Sequence, residues 1–188
     1  MDNRGSNSWI RAFIAVGSNL GDRFSHLQEA INRLPSGSLT VRRISRVYEN
    51  SAIGIEGAGP FLNAVVEIDT HLTAEALLNR CQHIERLLGR VATSVWSSRS
   101  IDLDIILYGS GLIRTDRLQV PHALAAERDF VIVPLLDLLS EKRLREKIGP
   151  IDDDALAAER LTRIEAELSL PEAGNEMPQS EGDLSNSV

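Results

Sequence analysis

The sequence predicts a single α+β domain of the ferredoxin-like kind: an antiparallel sheet with its helices on one face and the ligand site on the open side. Three observations predict it. Strand-like apolar runs and two amphipathic helical stretches follow one another as strand, helix, strand, strand, helix, strand. The chain has 188 residues, 43% hydrophobic and 25% charged, which suits one ordinary globular core. The two clearest strands carry polar side chains on the face turned away from the predicted helices. Residues 1–168 are expected to form this domain. Residues 169–188, rich in Ser, Pro, Glu and Gly, read as a disordered acidic tail.

Ala12 to Val16 is a short continuous apolar run, hence a buried strand. Asp22 or Ser25 can cap the following helix, whose stripe is Leu27, Ala30, Ile31 and Leu34, and Pro35-Ser36-Gly37 stops it. The turn from Gly17 to Gly21 lacks both the phosphate-loop pattern and the dinucleotide glycine spacing, so it reads as structural. Leu39 to Tyr48 alternates loosely as a second strand, and Glu49 to Pro60 is a glycine-bearing loop. Phe61 to Asp69 is the clearest strand. Leu62, Ala64, Val66 and Ile68 line one side; Phe61, Asn63, Val65, Glu67 and Asp69 line the other.

Thr73 begins the second helix, with Leu72 and Leu77 as a hydrophobic staple. Leu77, Cys81, Ile84 and Leu88 form its buried stripe, and Gly89 ends it. In the fourth strand Ile101, Leu103, Ile105 and Leu107 share a face, and Asp102 and Asp104 take the other. A turn at Gly109-Ser110-Gly111 leads to a small returning strand at Leu112 to Arg114, and Phe130 to Leu136 closes the core. Asp152 to Leu168 is expected to be a final helix, a C-terminal extension with Ala157, Leu161, Ile164 and Leu168 on one side.

The net charge of −7 argues against a general nucleic-acid binder, although Glu172, Glu176, Glu181 and Asp183 supply part of it from a stretch without bases. The single cysteine excludes an internal disulfide and suits a reducing compartment. No apolar run approaches the roughly 20 residues that span a bilayer, and Met1 to Trp9 is too polar for a signal peptide. A cytoplasmic location with neither membrane nor nucleic-acid partners is expected.

The chemistry gathers between Trp96 and Leu107. Two carboxylates on alternate strand positions stand about 6–7 Å apart and point the same way, which suits hard cations such as Mg²⁺. Arg99 adds a planar donor fork for phosphate oxygens, and Trp96 a flat face. Together they suggest phosphoryl chemistry. An acid pair on an edge strand can also be only a solvated face that deters aggregation. Asn63 would suit a heterocycle edge, since a carboxamide both donates and accepts, or it could tie down the neighbouring loop. His122, set between Arg117 and Arg128, is a candidate phosphate donor.

With these pieces in order, the chain resembles the 6-hydroxymethyl-7,8-dihydropterin pyrophosphokinase family of folate biosynthesis from about Phe13 to Leu136. The resemblance is carried by Ala15-Val16-Gly17-Ser18-Asn19-Leu20-Gly21-Asp22, Phe61-Leu62-Asn63-Ala64-Val65, Gln82-His83-Ile84-Glu85 with Gly89-Arg90, Arg99-Ser100-Ile101-Asp102-Leu103-Asp104-Ile105, Val120-Pro121-His122 and Arg128-Asp129-Phe130-Val131. It implies transfer of the terminal pyrophosphate of ATP to the pterin hydroxymethyl group, with release of AMP. It further implies that Asp102 and Asp104 hold two Mg²⁺ ions and that Arg90, Arg99, His122 and Arg128 serve the phosphates. Asn63, Phe61, Phe130 and Ile53 would form the pterin slot. Gln82, Glu85, Ile105, Arg117 and Trp96 would lie on the nucleotide side, with Trp96 on a closing loop.

ATP and a reduced pterin are then the expected small-molecule partners, and a monomer or weak homodimer the expected assembly. The chain departs from the family's usual pattern at Asn50-Ser51-Ala52, Ala58-Gly59, Ala92, Ser97-Ser98 and Ala123. Those departures leave room for a paralogue that binds pterin or nucleotide with weak turnover, or that uses another pterin alcohol. An RNA-binding module of the same fold is disfavoured by the acidic balance and by the absence of a surface aromatic pair on the predicted strands.

Overall fold

The computed structural model describes residues 8–51, 59–90, 99–157 and 160–172. Its centre is an antiparallel sheet of β1 (Ile10–Ser18), β2 (Leu39–Ile44), β3 (Val47–Asn50), β4 (Phe61–Thr70), β5 (Asp102–Tyr108) and β8 (Leu161–Ile164). The order across it is β5-β1-β4-β3-β8, with β2 also pairing β4. A separate small ribbon joins β6 (Ile113–Arg114) to β7 (Gln119–Val120).

Helices α1 (Arg23–Arg33) and α2 (Ala74–Leu87) cover one face, as the apolar stripes require. Asp22 caps α1 by accepting the Ser25 amide, and Thr73 caps α2 by accepting the Ala76 amide. Gly89 leaves α2 at φ +81°, a left-handed turn that a side chain would disfavour. Leu27, Ile31, Leu77 and Ile84 from these helices meet Ile14, Val16, Ala64 and Val66 of the sheet, all fully or almost fully buried. Each such large side chain contributes about 1.5–3 kcal/mol through removal from water.

The other face is covered over half its length. Helix α3 (Asp129–Leu136), followed by α4 (Glu141–Ile148) and the short α5 (Asp153–Ala157), packs a second core on Phe13, Val65, Ile106 and Leu107. The segment expected to close the core is thus a helix. Its residues Val131, Ile132, Pro134 and Leu135 are all buried, which leaves no one-sided stripe to read.

Three further expectations are corrected. The strand expected over 39–48 breaks in two at Ser45, whose amide donates to the Val65 carbonyl at 2.9 Å while its hydroxyl accepts the Val65 amide at 2.8 Å. Leu107 does not share a face with Leu103 and Ile105. A register shift pairs Ile14 with Ile105 but Phe13 with Leu107, so Ile106 is an extra residue that turns Leu107 to the opposite core. The helix expected over 152–168 is helical only at Asp153–Ala157. Leu161–Ile164 instead extends the sheet beyond β3, with Asn50 opposite Leu161 and Val47 opposite Ile164. Leu161 and Ile164 fit a helical stripe at i and i+3 as well as they fit a strand.

Candidate active site

The half of the second face that the described residues leave uncovered lies at the end of β1 where the chain leaves the sheet. Gly17 stands opposite Asn63 on β4 and opposite Asp102 on β5; Ala15 stands opposite Val65 and Asp104. Residues directly opposite share a face. Asn63 and Asp102 therefore flank a strip floored by Gly17, about 10 Å apart across two strand spacings. The floor is bare, and a Cβ on Gly17 would stand 3.1 Å from Asn63 Oδ1 and press the amide aside by a few tenths of an ångström.

Asp102 is held by two guanidinium groups, Arg90 Nη1 at 2.7 Å and Arg99 Nη1 at 2.7 Å. Arg90 also pairs with Glu85, a buried residue of α2. Glu85 accepts the Leu103 amide at 2.8 Å and so ties α2 to the acid-bearing strand. Burial pushes the Glu85 carboxyl up to about 7, partly opposed by the Leu103 amide and by Arg90.

The Asp104 side chain has no hydrogen bond or ion pair among the described residues. Burial raises its carboxyl above the ordinary carboxylate range. Asp102 adds to the shift, and His122, Arg128 and Arg90 oppose it. His122 and Arg128, remote in sequence, thus lie near enough for their charges to act on Asp104. The His122 amide donates to the Ile106 carbonyl on β5 at 3.1 Å, and its Nδ1 accepts the Leu124 amide at 3.3 Å. That tautomer leaves Nε2–H as a donor. Arg128 precedes α3 and lies over the Phe130 ring, 5.5 Å from its centroid.

Asn63 is buried, and its Nδ2 donates to Asn50 Oδ1 at 2.7 Å. Phe61, half-buried, lies one alternate position along β4, with its ring 4.0 Å from the bare Gly17 position. Gln82, one turn before Glu85, accepts from Arg117 at 3.3 Å, while Arg117 also holds Asn79 and Glu75. Arg117 thus lies across the exposed side of α2, the helix that also carries Glu85.

Ile105 is a correction. Its side chain is buried in the core shared with α1 and α2, so it does not face the nucleotide side. Ile53 and Trp96 lie outside the described residues. Two polar residues were missed as site residues. Asn50 ends β3 and carries the partner of Asn63. Asn19, read only as part of a structural turn, joins three segments: its Oδ1 accepts the Arg99 amide at 2.7 Å, its amide donates to the Arg99 carbonyl at 3.1 Å, and its Nδ2 donates to the Gly59 carbonyl at 3.5 Å. A short polar residue at each strand end beside the acid-bearing stretch was the available signal.

A cleft of about 380 Å³ is elsewhere. It lies at the far end of the same sheet face, among Arg11, Arg43, Glu67, Arg143 and Lys147. A second, about 330 Å³, borders His122 with Arg114, Gln119 and Pro121. Among the described residues no group of three or more His, Cys, Asp or Glu could by itself hold a metal ion. The two carboxylates nevertheless fit Mg²⁺, which takes one or two carboxylates and completes its shell with water and phosphate oxygens. The Asp104 carboxylate offers lone pairs, and Asp102 carries two guanidinium groups that could also meet phosphate oxygens.

A sheet end that gathers two acids with Arg90, Arg99, Arg128 and His122 has the chemistry to meet a polyanion and a hard cation at once. Comparison with known proteins sharpens that class. The model of the 7,8-dihydro-6-hydroxymethylpterin-pyrophosphokinase (HPPK) family matches residues 13–140, and the chain belongs to this family. It is 41% identical over 126 residues to the 2-amino-4-hydroxy-6-hydroxymethyldihydropteridine pyrophosphokinase of Aquifex aeolicus, covering 67% of this chain and 78% of that one. The Bacillus subtilis protein of the same name is 41% identical over 131 residues, covering 69% and 78%. The mitochondrial folate synthesis bifunctional protein of Pisum sativum is 37% identical over 145 residues, covering 77% of this chain and 27% of that one. Among solved structures, a Plasmodium falciparum HPPK-DHPS with SDX-DHP superposes with a TM-score of 0.61 at 15% identity, over 86% of this chain and 50% of that one. At that identity it supports the fold alone.

Proposed function

We infer that this chain transfers the terminal pyrophosphate of ATP to the hydroxymethyl group of 6-hydroxymethyl-7,8-dihydropterin, a step of folate biosynthesis that releases AMP. Family membership supports the reaction. The observation that carries it to particular residues is the convergence of Asp102, Asp104, Arg90, His122 and Arg128 on one open sheet end.

The pterin hydroxyl attacks the β-phosphorus; a new O–P bond forms there, and the bond from the β-phosphorus to the oxygen that stays with AMP breaks. Asp102 and Asp104 would hold two Mg²⁺ ions, whose chemistry is to neutralise the phosphate oxygens and favour attack on phosphorus. Arg90, Arg99 and Arg128 offer guanidinium donors to the same oxygens, and His122 offers Nε2–H. Asn63 reads the pterin edge between the Phe61 and Phe130 rings. Gln82, Glu85 and Arg117 lie toward the nucleoside.

The test is direct. The protein incubated with ATP, Mg²⁺ and 6-hydroxymethyl-7,8-dihydropterin should form AMP only when the pterin is present. AMP formation that ignores the pterin, or none at all, would overturn the reading.

A further inference from the structure

We propose that Asn50 determines specificity from behind the site: its carboxamide fixes which end of the Asn63 amide meets the ligand. The inference rests on the pterin-reading role given to Asn63 above.

The two residues lie on adjacent strands, offset diagonally, since Asn50 pairs with Phe61 and Asn63 with Tyr48. Both are more than nine-tenths buried. Asn50 Nδ2 donates to the Ser51 carbonyl at 2.9 Å, and Asn63 Nδ2 donates to Asn50 Oδ1 at 2.7 Å. These bonds have a direction. A carboxamide whose NH₂ end is turned to a carbonyl on one side presents its oxygen end to a neighbour on the other. Asn63 must answer with its NH₂, so its Oδ1 is turned to the other side, over the bare Gly17.

Without that constraint an amide turns end over end at little cost, because its terminal torsion is broad and nearly two-fold. The turned form would present a donor over Gly17 instead of an acceptor. The Asn50 clamp therefore demands a ligand that brings an N–H to the Gly17 side. The pyrimidinone edge of a pterin has such donors in its ring N–H and exocyclic amine. A heterocycle with the reverse order of donor and acceptor would meet like with like.

Asn50→Ala tests this, because alanine removes the oxygen that holds Asn63. With Mg²⁺, ATP and 6-hydroxymethyl-7,8-dihydropterin, N50A should raise the pterin KM roughly tenfold, the scale of one hydrogen bond to a buried group, and leave the ATP KM unchanged. In ¹⁵N-labelled protein, the Asn63 side-chain NH₂ protons should exchange with solvent slowly in wild type and quickly in N50A. An unchanged pterin KM in N50A, or an equal rise in both KM values, would overturn the inference. Wild-type protein that makes no pterin-dependent AMP would overturn the reaction assignment first and this inference with it.

Discussion

Asp102 and Asp104 occupy alternate positions of one strand face, yet only Asp102 is neutralised by guanidinium groups. It carries Arg90 and Arg99 at 2.7 Å each. The Asp104 side chain, two residues on, has no hydrogen bond or ion pair among the described residues. On the proposed reaction the difference separates the roles: Asp102 would order the basic groups around it, and Asp104 would keep its lone pairs for a ligand.

Replacing Asp104 by Asn should therefore remove turnover and spare the fold. The expected loss is at least about 100-fold in kcat, in the range found when one preorganised charge-stabilising group is deleted. The melting temperature should stay level or rise, because burial disfavours the Asp104 carboxylate. AMP release followed beside thermal unfolding checks both parts. Near-normal AMP release would remove the metal role.

Arg99→Lys should fail to restore activity lost in Arg99→Ala. Lysine keeps the charge but not the planar fork that can hold Asp102 and a phosphate together. Both variants should raise the ATP KM or lower kcat by about tenfold or more. Steady-state kinetics of the two variants, measured side by side, decides it.

Glu85 gives a pH dependence of stability. Its folded-state carboxyl is raised to about 7 from an ordinary 4.5, so the folded protein holds that proton more tightly than the unfolded chain. Its contribution is fully present below pH 4.5 and is lost as pH rises through about 7. Glu85→Gln keeps an acceptor for the Leu103 amide and removes the titration. Between pH 5 and pH 8 the unfolding free energy from urea titration should shift in favour of the variant by on the order of 1–3 kcal/mol. Parallel pH profiles for the two proteins would refute the assignment.

Asn19→Ala should loosen the site as well as the fold. It strips the Arg99 amide of its acceptor and cuts the link to Gly59. An unsatisfied buried amide costs about 1–3 kcal/mol, readable as a lower denaturant midpoint. kcat/KM should fall further than in a surface variant of equal stability, since Arg99 loses its anchor. Equal activity at equal stability would restrict Asn19 to the turn.

Much of this was legible in the sequence because two periods dominate. The stripe Leu27, Ala30, Ile31 and the alternation Leu62, Ala64, Val66 each admit one secondary structure, and both form as expected. The acid pair was legible for the same reason: Asp102 and Asp104 interrupt an otherwise apolar strand at one parity. What failed to show was whatever local pattern does not encode. The Ile106 bulge depends on how two strands align, which no single strand reveals. Leu161–Ile164 is too short for its spacing to choose between helix and strand, so β3 decides by offering an unpaired edge. Ile105 was assigned to the nucleotide side by resemblance, against its own parity with Leu103, and the parity prevailed. Asn50 gave no sign because its importance comes from a partner 13 residues away.

The outermost strand carries a practical consequence for anyone trimming this chain. The family match stops at residue 140, but the sheet is completed by Leu161–Ile164. A fragment ended at the match would leave Val47–Asn50 as a bare rim, free to recruit a strand from another copy. The rim also bears the residue that turns Asn63 toward its ligand. Such a fragment is expected to self-associate and to discriminate poorly among heterocycles, so the piece worth expressing runs at least to residue 164.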